Sequence, residues 1–543
     1  MELGIWTVIS GVGTAIKDHE AVVDGERRFT FGELLDRSSR FAAVLAAHGL
    51  GVTAERETLA PWQLGQSTVG LLLRNGVEYL EATLGGYAAR TATFNVNHSY
   101  VAAELHYLFD DADAAALVYH SSYAPLVKET LPLLRRRPLL IQVADDSGEP
   151  LLPEALDYSE LLRTAPAAAL PIPNPDDVYL MYTGGTTGMP KGVLWRQGDV
   201  WAGTLARGTL SDATLEQLVE YVAARKKGRV LTSAPLMHGS GLAGALAALA
   251  HGDTVVLATQ SGRLDARQLL GLIESEAITS TTIVGDAYAT PLLRELGERA
   301  YDTSSLRLIV TGGAPLAPRL KAALLEKLPS AKLVELLMAT ETGNALERTA
   351  TTGSGWDETA VFRPLPDVAI LSEDLTHVLS PGAAETGWFA KSGRLPLGYL
   401  GDEAKTAATF RTIAGTRWSI PGDRARHRAD GLVEVLGRDS ATINTGGEKV
   451  FAEEVELAIA AVPGVRDIAV SSRPSPRWGQ EVVAIVALDE NSALTDEDIK
   501  AGAATRLARY KLPKDIIRVP AIRRTGAGKI DRVWARETAC AEA

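Results

Sequence analysis

A chain of 543 residues exceeds what one hydrophobic core ordinarily organises, so at least two domains are expected. With 46% hydrophobic and 22% charged residues, the composition is that of a folded globular protein and excludes a largely disordered chain. A formal charge of -12 argues against nucleic acid or an anionic membrane as the main partner, because both select basic surfaces.

The start, Met1-Glu2-Leu3-Gly4-Ile5-Trp6, lacks the basic residues and apolar core of a signal peptide, and no stretch has membrane-spanning length and character. The one cysteine, Cys540, allows neither a disulfide framework nor a cysteine-built metal site. A cytoplasmic protein without integral membrane association is therefore expected.

In chain order, Thr30-Phe31-Gly32-Glu33 predicts a capped helix start, with threonine and glutamate covering each other's backbone donors. The helix should run to about His48, bury Leu34, Phe41, Ala42 and Leu45, and stop at Gly49. Short apolar runs at 69–73, 117–119, 254–257, 281–284, 306–310 and 333–337 predict buried strands, and the alanine-rich run 241–250 a buried helix. Helices and strands alternate, the pattern of parallel sheets with crossover helices. Near Gly437-Arg438-Asp439-Ser440 a new organisation begins, with strands expected at 468–470 and 482–488 and a frayed tail around Cys540. The boundary is placed between residues 1–438 and 439–543.

The most specific local pattern is Tyr182-Thr183-Gly184-Gly185-Thr186-Thr187-Gly188-Met189-Pro190-Lys191-Gly192, directly after an apolar run. Glycines admit phosphate oxygens to backbone N–H groups, threonine hydroxyls add donors, and Lys191 adds a mobile positive charge. It is not a Walker loop, because Pro190 precedes the lysine and disfavours helical geometry at Met189. A polyphosphate ligand is expected.

This loop resembles the phosphate loop of the adenylate-forming superfamily, which includes acyl-CoA synthetases, peptide-synthetase adenylation domains and luciferases. Further segments resemble that family in the family's order. Pro235-Leu236-Met237-His238 is similar to the segment whose ring stands beside the acid, and Thr311-Gly312-Gly313-Ala314-Pro315 to the loop lining adenine and acyl sites. Thr340-Glu341 resembles the pair beside the α-phosphate and magnesium, Gly422-Asp423 the ribose-binding aspartate, and Gly437-Arg438 the nucleotide-contacting arginine before the hinge. Arg524-Thr525-Gly526-Ala527-Gly528-Lys529 resembles the loop that delivers the adenylation lysine, while Phe29 to Leu34 and Phe94-Asn95-Val96-Asn97 resemble the family's N-terminal half.

The resemblance implies an α/β protein: a large N-terminal domain of stacked mixed sheets and crossover helices, with a small mobile α+β C-terminal domain. It implies ATP, Mg2+ and CoA as reactants, a small-molecule acid as substrate, and a monomer or homodimer. Lys529, His238, Thr340 and Glu341 would be catalytic, with Glu341 on the metal. Thr183, Gly184, Gly185, Thr186, Thr187, Gly188, Lys191, Gly313, Ala314, Pro315, Met338, Ala339, Asp423 and Arg438 would bind nucleotide. His238, Asp286, Gly313 and Met338 would line the acid pocket, and Gly446 and Gly447 the CoA channel.

Three positions depart from the family pattern. Gly184 stands where serine is usual, and Ser440 where the hinge is often aspartate or lysine. Leu337-Met338-Ala339 replaces tyrosine-glycine-x, so Met338 should shorten the pocket and favour a small or flat acid. The variants look like those of bacterial ligases acting on fatty or steroid side-chain acids. Motifs leave carrier-protein loading, amide formation, nitrite activation for diazotisation of an aryl amine, and an inactive nucleotide-binding protein as alternatives to acid:CoA ligation.

Overall fold

The helix expected after residue 30 spans Phe31–Ala47, and its start has a mutual cap. Thr30 Oγ1 accepts from the Glu33 N–H at 3.2 Å while the Glu33 carboxylate accepts from the Thr30 N–H at 2.8 Å. Leu34, Phe41, Ala42 and Leu45 are buried, and Gly49 takes a φ of 73° just beyond the helix end. Helix Val77–Ala88 packs against it with every residue buried. The close crossing needs Gly85, where a Cβ would lie 2.5 Å from the Ser38 carbonyl oxygen.

The computed structural model describes residues 2–165, 170–183, 190–206, 208–258, 264–314, 316–353, 360–438, 442–445, 448–475, 479–490, 492–507, 509–525 and 528–541. One sheet is wholly parallel, in the order Ala92–Asn95, Thr68–Leu72, Ala114–His120, Leu139–Val143, Ala155–Asp157. A larger sheet pairs Glu20–Asp24, Thr254–Leu257, Arg229–Thr232, Ser280–Ile283, Leu308–Thr311 and Lys332–Ala339 in parallel. From Gly343–Ala350 onward it turns antiparallel, through Val361–Pro364, Val433–Arg438, Asp423–His427 and Gly387–Lys391. Helices Ile5–Ala15, Phe31–Ala47, Val77–Ala88 and Gly239–Ala250 share one core with residues of both sheets. Each apolar run read as a strand before residue 340 forms one, shifted by at most a few residues. A third, three-stranded antiparallel sheet joins Val178–Thr183, Lys191–Arg196 and Gly398–Tyr399.

Residues from 442 onward form a separate five-stranded sheet with helices Ala452–Ala460, Asp496–Ala504 and Arg532–Ala541, and its own apolar core. Two expectations change here. The strand expected at 468–470 runs from Val465 to Ser475, because Pro474 is tolerated in a strand bonded on one side only. The tail expected to fray is helical: Ala535 and Ala539, four residues apart, bury against Ile485 and Ile517 and leave Cys540 exposed. The architecture is the expected α/β one, a large multi-sheet N-terminal part with a small C-terminal domain. Among the described residues no helix is long and apolar enough to cross a membrane.

Candidate active site

The hairpin Val178–Thr183 and Lys191–Arg196 sets Thr183 opposite Lys191, the two ends of the expected phosphate loop. Gly184, Gly185, Thr186, Thr187 and Gly188 lie outside the described residues. The stem is fixed from below by helix Ala102–Asp111. Asp111 accepts from the Tyr182 hydroxyl at 2.7 Å, and the Tyr107 hydroxyl donates to the Pro190 carbonyl at 3.3 Å.

Lys191 Nζ stands 3.6 Å from the Asp402 carboxylate and 5.9 Å from the centre of the Tyr399 ring. Tyr399, paired to Val193 across the small sheet, donates its hydroxyl to Glu341 Oε1 at 2.9 Å. Lys405 Nζ lies 5.7 Å from the same ring, and its pKa is lowered by burial and then by the neighbouring Lys191 charge. Lys191, Tyr399, Glu341, Asp402 and Lys405 thus form one charged cluster. Tyr399, Asp402 and Lys405 were not singled out from sequence, and Tyr399 sits on a two-residue strand with no periodic signature.

Thr340 and Glu341 occupy the turn between Lys332–Ala339 and Gly343–Ala350. Trp195 Nε1 donates to the Thr340 carbonyl at 2.8 Å, and the Ser419 hydroxyl to the Glu341 carbonyl at 2.7 Å. The side chains on this turn are therefore aimed by backbone held from two other strands. A β-bulge falls between Leu337 and Met338, and Met338 Cε lies 3.6 Å from where a Gly312 Cβ would be. Met338 is thereby brought against the Gly312-Gly313 turn, in which Gly313 adopts a φ of 80°. Ala339 ends the strand, and Thr342 N–H closes the turn onto its carbonyl at 3.1 Å. Ala314 follows Gly313 on this turn, while Pro315 lies outside the described residues.

His238 caps helix Gly239–Ala250 in an extended conformation, and among the described residues its enclosed Nε2 has no hydrogen-bond partner. Burial pushes its pKa down to about 4, helped by the nearby His98 and Lys529. Lys529 belongs to a tight turn in which Thr525 N–H bonds to the Lys529 carbonyl at 2.8 Å and Arg524 donates to the Gly528 carbonyl at 3.0 Å. Gly528 lies beside Val284 and Ala287, and Val284 also borders Gly313. The expected adenylation lysine, acid-side histidine and glycine turn therefore meet in one region.

Asp286, expected at the acid, has a backbone partner. Its buried carboxyl accepts from the Ala317 N–H at 2.7 Å, and burial raises its pKa against the opposing influence of that bond and of Arg524. It anchors the loop after Gly313 beside the Arg524–Asp467 ion pair, which is 2.7 Å long.

Asp423 and Arg438 are direct cross-strand partners, so two expected nucleotide contacts come from one ladder. The Arg438 side chain, Ser440, Gly446 and Gly447 lie outside what is described. Gly437 has a φ of 124°, and a Cβ there would collide with the Glu453 carboxylate. For a divalent cation, Glu341 offers one carboxylate, steadied by the Tyr399 hydroxyl. That sparse oxygen set suits Mg2+, which retains waters and takes substrate phosphate oxygens.

Comparison with known proteins agrees with this layout. Residues 13–387 match the AMP-binding enzyme family and 454–529 its C-terminal domain. The chain is 46% identical over 537 residues to the medium-chain acyl-CoA ligase Mig of Mycobacterium avium, covering 98% of this chain and 97% of that one. It is 36% identical to a medium/long-chain fatty acid and 3-oxocholest-4-en-26-oate CoA ligase of Mycobacterium marinum, over 96% and 94% of the two chains. The fold superposes on the anthranilate CoA ligase AuaEII in complex with anthranoyl-AMP with a TM-score of 0.82, at 21% identity and covering 99% and 97%. The chain therefore belongs to the AMP-binding enzymes, as an AMP-forming acyl-CoA ligase of the adenylate-forming superfamily.

Proposed function

We propose that the enzyme joins a carboxylic acid with an apolar tail of medium length to CoA, through an acyl-adenylate. The observation that carries this reading is the cluster of Lys191, Lys405, Asp402 and Glu341 around Tyr399 at the hairpin, together with a neutral histidine that feels the Lys529 charge. In the first step a carboxylate oxygen of the acid attacks the α-phosphorus of ATP and pyrophosphate leaves. Negative charge gathers on the phosphoryl oxygens in that transition state, where fixed cations count most. Lys191 and the loop it closes hold the outer phosphates, Lys529 neutralises charge between acid and α-phosphate, and Thr340 donates near the latter. Mg2+, held by Glu341, would add charge neutralisation at the phosphate oxygens.

His238 borders the acid as an uncharged ring, so it adds no ion that would hold the carboxylate back from attack. Asp423 and Arg438 grip the ribose side. In the second step the CoA sulfur attacks the acyl carbonyl and AMP leaves, with the thiol approaching along Gly446 and Gly447. We place the boundary between the two catalytic lobes at 438/439, within reach of Gly437.

The relatives' names speak of fatty and sterol side-chain acids, so the small-acid expectation from Met338 is widened to medium length, with Met338 as the floor of the pocket. The test is product analysis with ATP, Mg2+, CoA and acids of graded length. A thioester with medium acids, moving to longer ones in Met338→Gly, is expected. Unchanged length preference in that variant removes Met338 from the pocket. AMP release that requires nitrite instead of CoA defeats the ligase reading.

A further inference from the structure

Asn95 ends the strand Ala92–Asn95, at the carboxyl edge of the parallel sheet, and both polar atoms of its side chain bond to backbone. Its amide oxygen accepts from the Tyr182 N–H at 2.7 Å, and its amide nitrogen donates to the Tyr182 carbonyl at 2.9 Å and to the Met237 carbonyl at 2.8 Å. The orientation is unambiguous, since one partner is a donor and two are acceptors. Tyr182 immediately precedes Thr183 and the phosphate loop, and Met237 immediately precedes His238. One side chain, from a third element, thus ties together the backbones that carry the two halves of the site. The neighbouring Asn75 makes an informative contrast. It accepts from the Leu236 N–H at 2.8 Å and donates to the Ala234 carbonyl at 3.3 Å, holding the same histidine segment without touching the hairpin.

From this geometry we infer that Asn95 is a positioning residue, which sets the distance between the strand end at Tyr182, where the phosphate-loop segment begins, and the backbone at Met237 that carries His238. Attack on the α-phosphorus requires acid and ATP to be aligned to within a fraction of an ångström, so a tie between their two cradles acts on the encounter and not on either ligand alone. An amide suits this position, because a carboxylate would face two carbonyl oxygens and an aliphatic side chain would leave three backbone groups short of partners.

The inference rests on the roles proposed for the phosphate loop and His238. Its test measures pyrophosphate release by the full chain with ATP and acid varied independently, in Asn95→Ala, Asn95→Asp and Asn75→Ala, with thermal midpoints alongside. Asn95→Ala should lower kcat/KM for both substrates by about 10- to 100-fold, with kcat reduced and both KM values raised, and Asn95→Asp should do at least as much. Asn75→Ala should leave the KM for ATP at the wild-type value, because only the acid side is loosened. If Asn95→Ala gives no folded protein, Asn95→Ser, with one hydroxyl, carries the same comparison. A KM for ATP unchanged in the Asn95 variants overturns the inference, as does wild-type kcat/KM in Asn95→Asp. Lys191→Ala and His238→Ala, measured in parallel, separate the two levels. If neither impairs adenylation the role assignment falls. If both do while the Asn95 variants match Asn75→Ala, the positioning role alone falls.

Discussion

Among the places where the C-terminal sheet and its helices meet the rest of the chain, two are instructive, because loss of water acts on them from opposite sides. At the Lys529 turn, burial and neighbouring positive groups push the His238 imidazole down to about 4. Beside Gly437, Glu453 of helix Ala452–Ala460 is pushed up to about 7 by burial, then by Glu456, with Asp423 adding to the rise and Arg532 opposing it. Among the described residues Glu453 Oε2 has no hydrogen-bond partner, and Arg532 reaches Oε1 at 3.3 Å while also serving Glu456. Both groups are driven toward neutrality, yet only the carboxyl titrates near neutral pH. Stability that His238 contributes is present above 6.5 and lost as pH falls toward 4; stability linked to Glu453 is present below 4.5 and lost as pH rises through 7. His238 at the Lys529 turn therefore keeps one protonation state across ordinary conditions, whereas Glu453 beside Gly437 changes its own.

Three substitutions break or sharpen that contrast. The largest effect is expected at the Lys529 turn: Lys529→Ala should lower adenylate formation by roughly 100- to 1,000-fold with ATP binding retained, and near-normal pyrophosphate release would remove the lysine from the mechanism. Tyr399→Phe tests the hairpin cluster, away from both contacts. Loss of the hydroxyl that orients Glu341 should raise the Mg2+ concentration needed for half-maximal activity by about tenfold, and an unchanged requirement would dissociate Glu341 from the metal. The smallest effect is expected beside Gly437. Wild-type thermal midpoints should decline relative to Glu453→Gln as pH rises from 4.5 to about 7, because the glutamine cannot ionise; parallel curves would mean that Arg532 already satisfies the charge.

Much of the frame was legible because its signals are local. Thr30 and Glu33 announce their helix within four residues, and runs such as 254–257 are apolar because both sheet faces are covered. The candidate site was legible as an ordered series of motifs, and the structure brings Lys529, His238, Gly313 and Met338 into one region. What escaped is what depends on distant pairing. Tyr399 reaches Glu341 across 58 positions, and nothing in Leu397-Gly398-Tyr399 advertises a neighbour in the candidate site. Asn95 was visible only as part of a familiar segment, since a side chain bonding backbone atoms 87 and 142 positions away leaves no spacing rule to read. Asp286 was expected at the acid, and its hold on the Ala317 N–H, 31 positions away, was not legible. The full length of the strand expected at 468–470 and the helix in place of a frayed tail around Cys540 also escaped, because edge position and a narrow buried stripe decided the outcome.

The order in which the site's parts occur along the chain has a consequence for its making. The hairpin that frames the phosphate loop emerges early in synthesis, but its Tyr399 partner comes more than two hundred residues later and Lys529 later still. At ordinary elongation rates the interval between Thr183 and Lys529 is on the order of tens of seconds. Throughout that time a nascent chain can collect the pieces of a nucleotide cradle without the lysine that the proposed chemistry needs. On that proposal, a ribosome-bound intermediate gains the capacity to make a reactive adenylate only once the unit that carries Lys529 has been built.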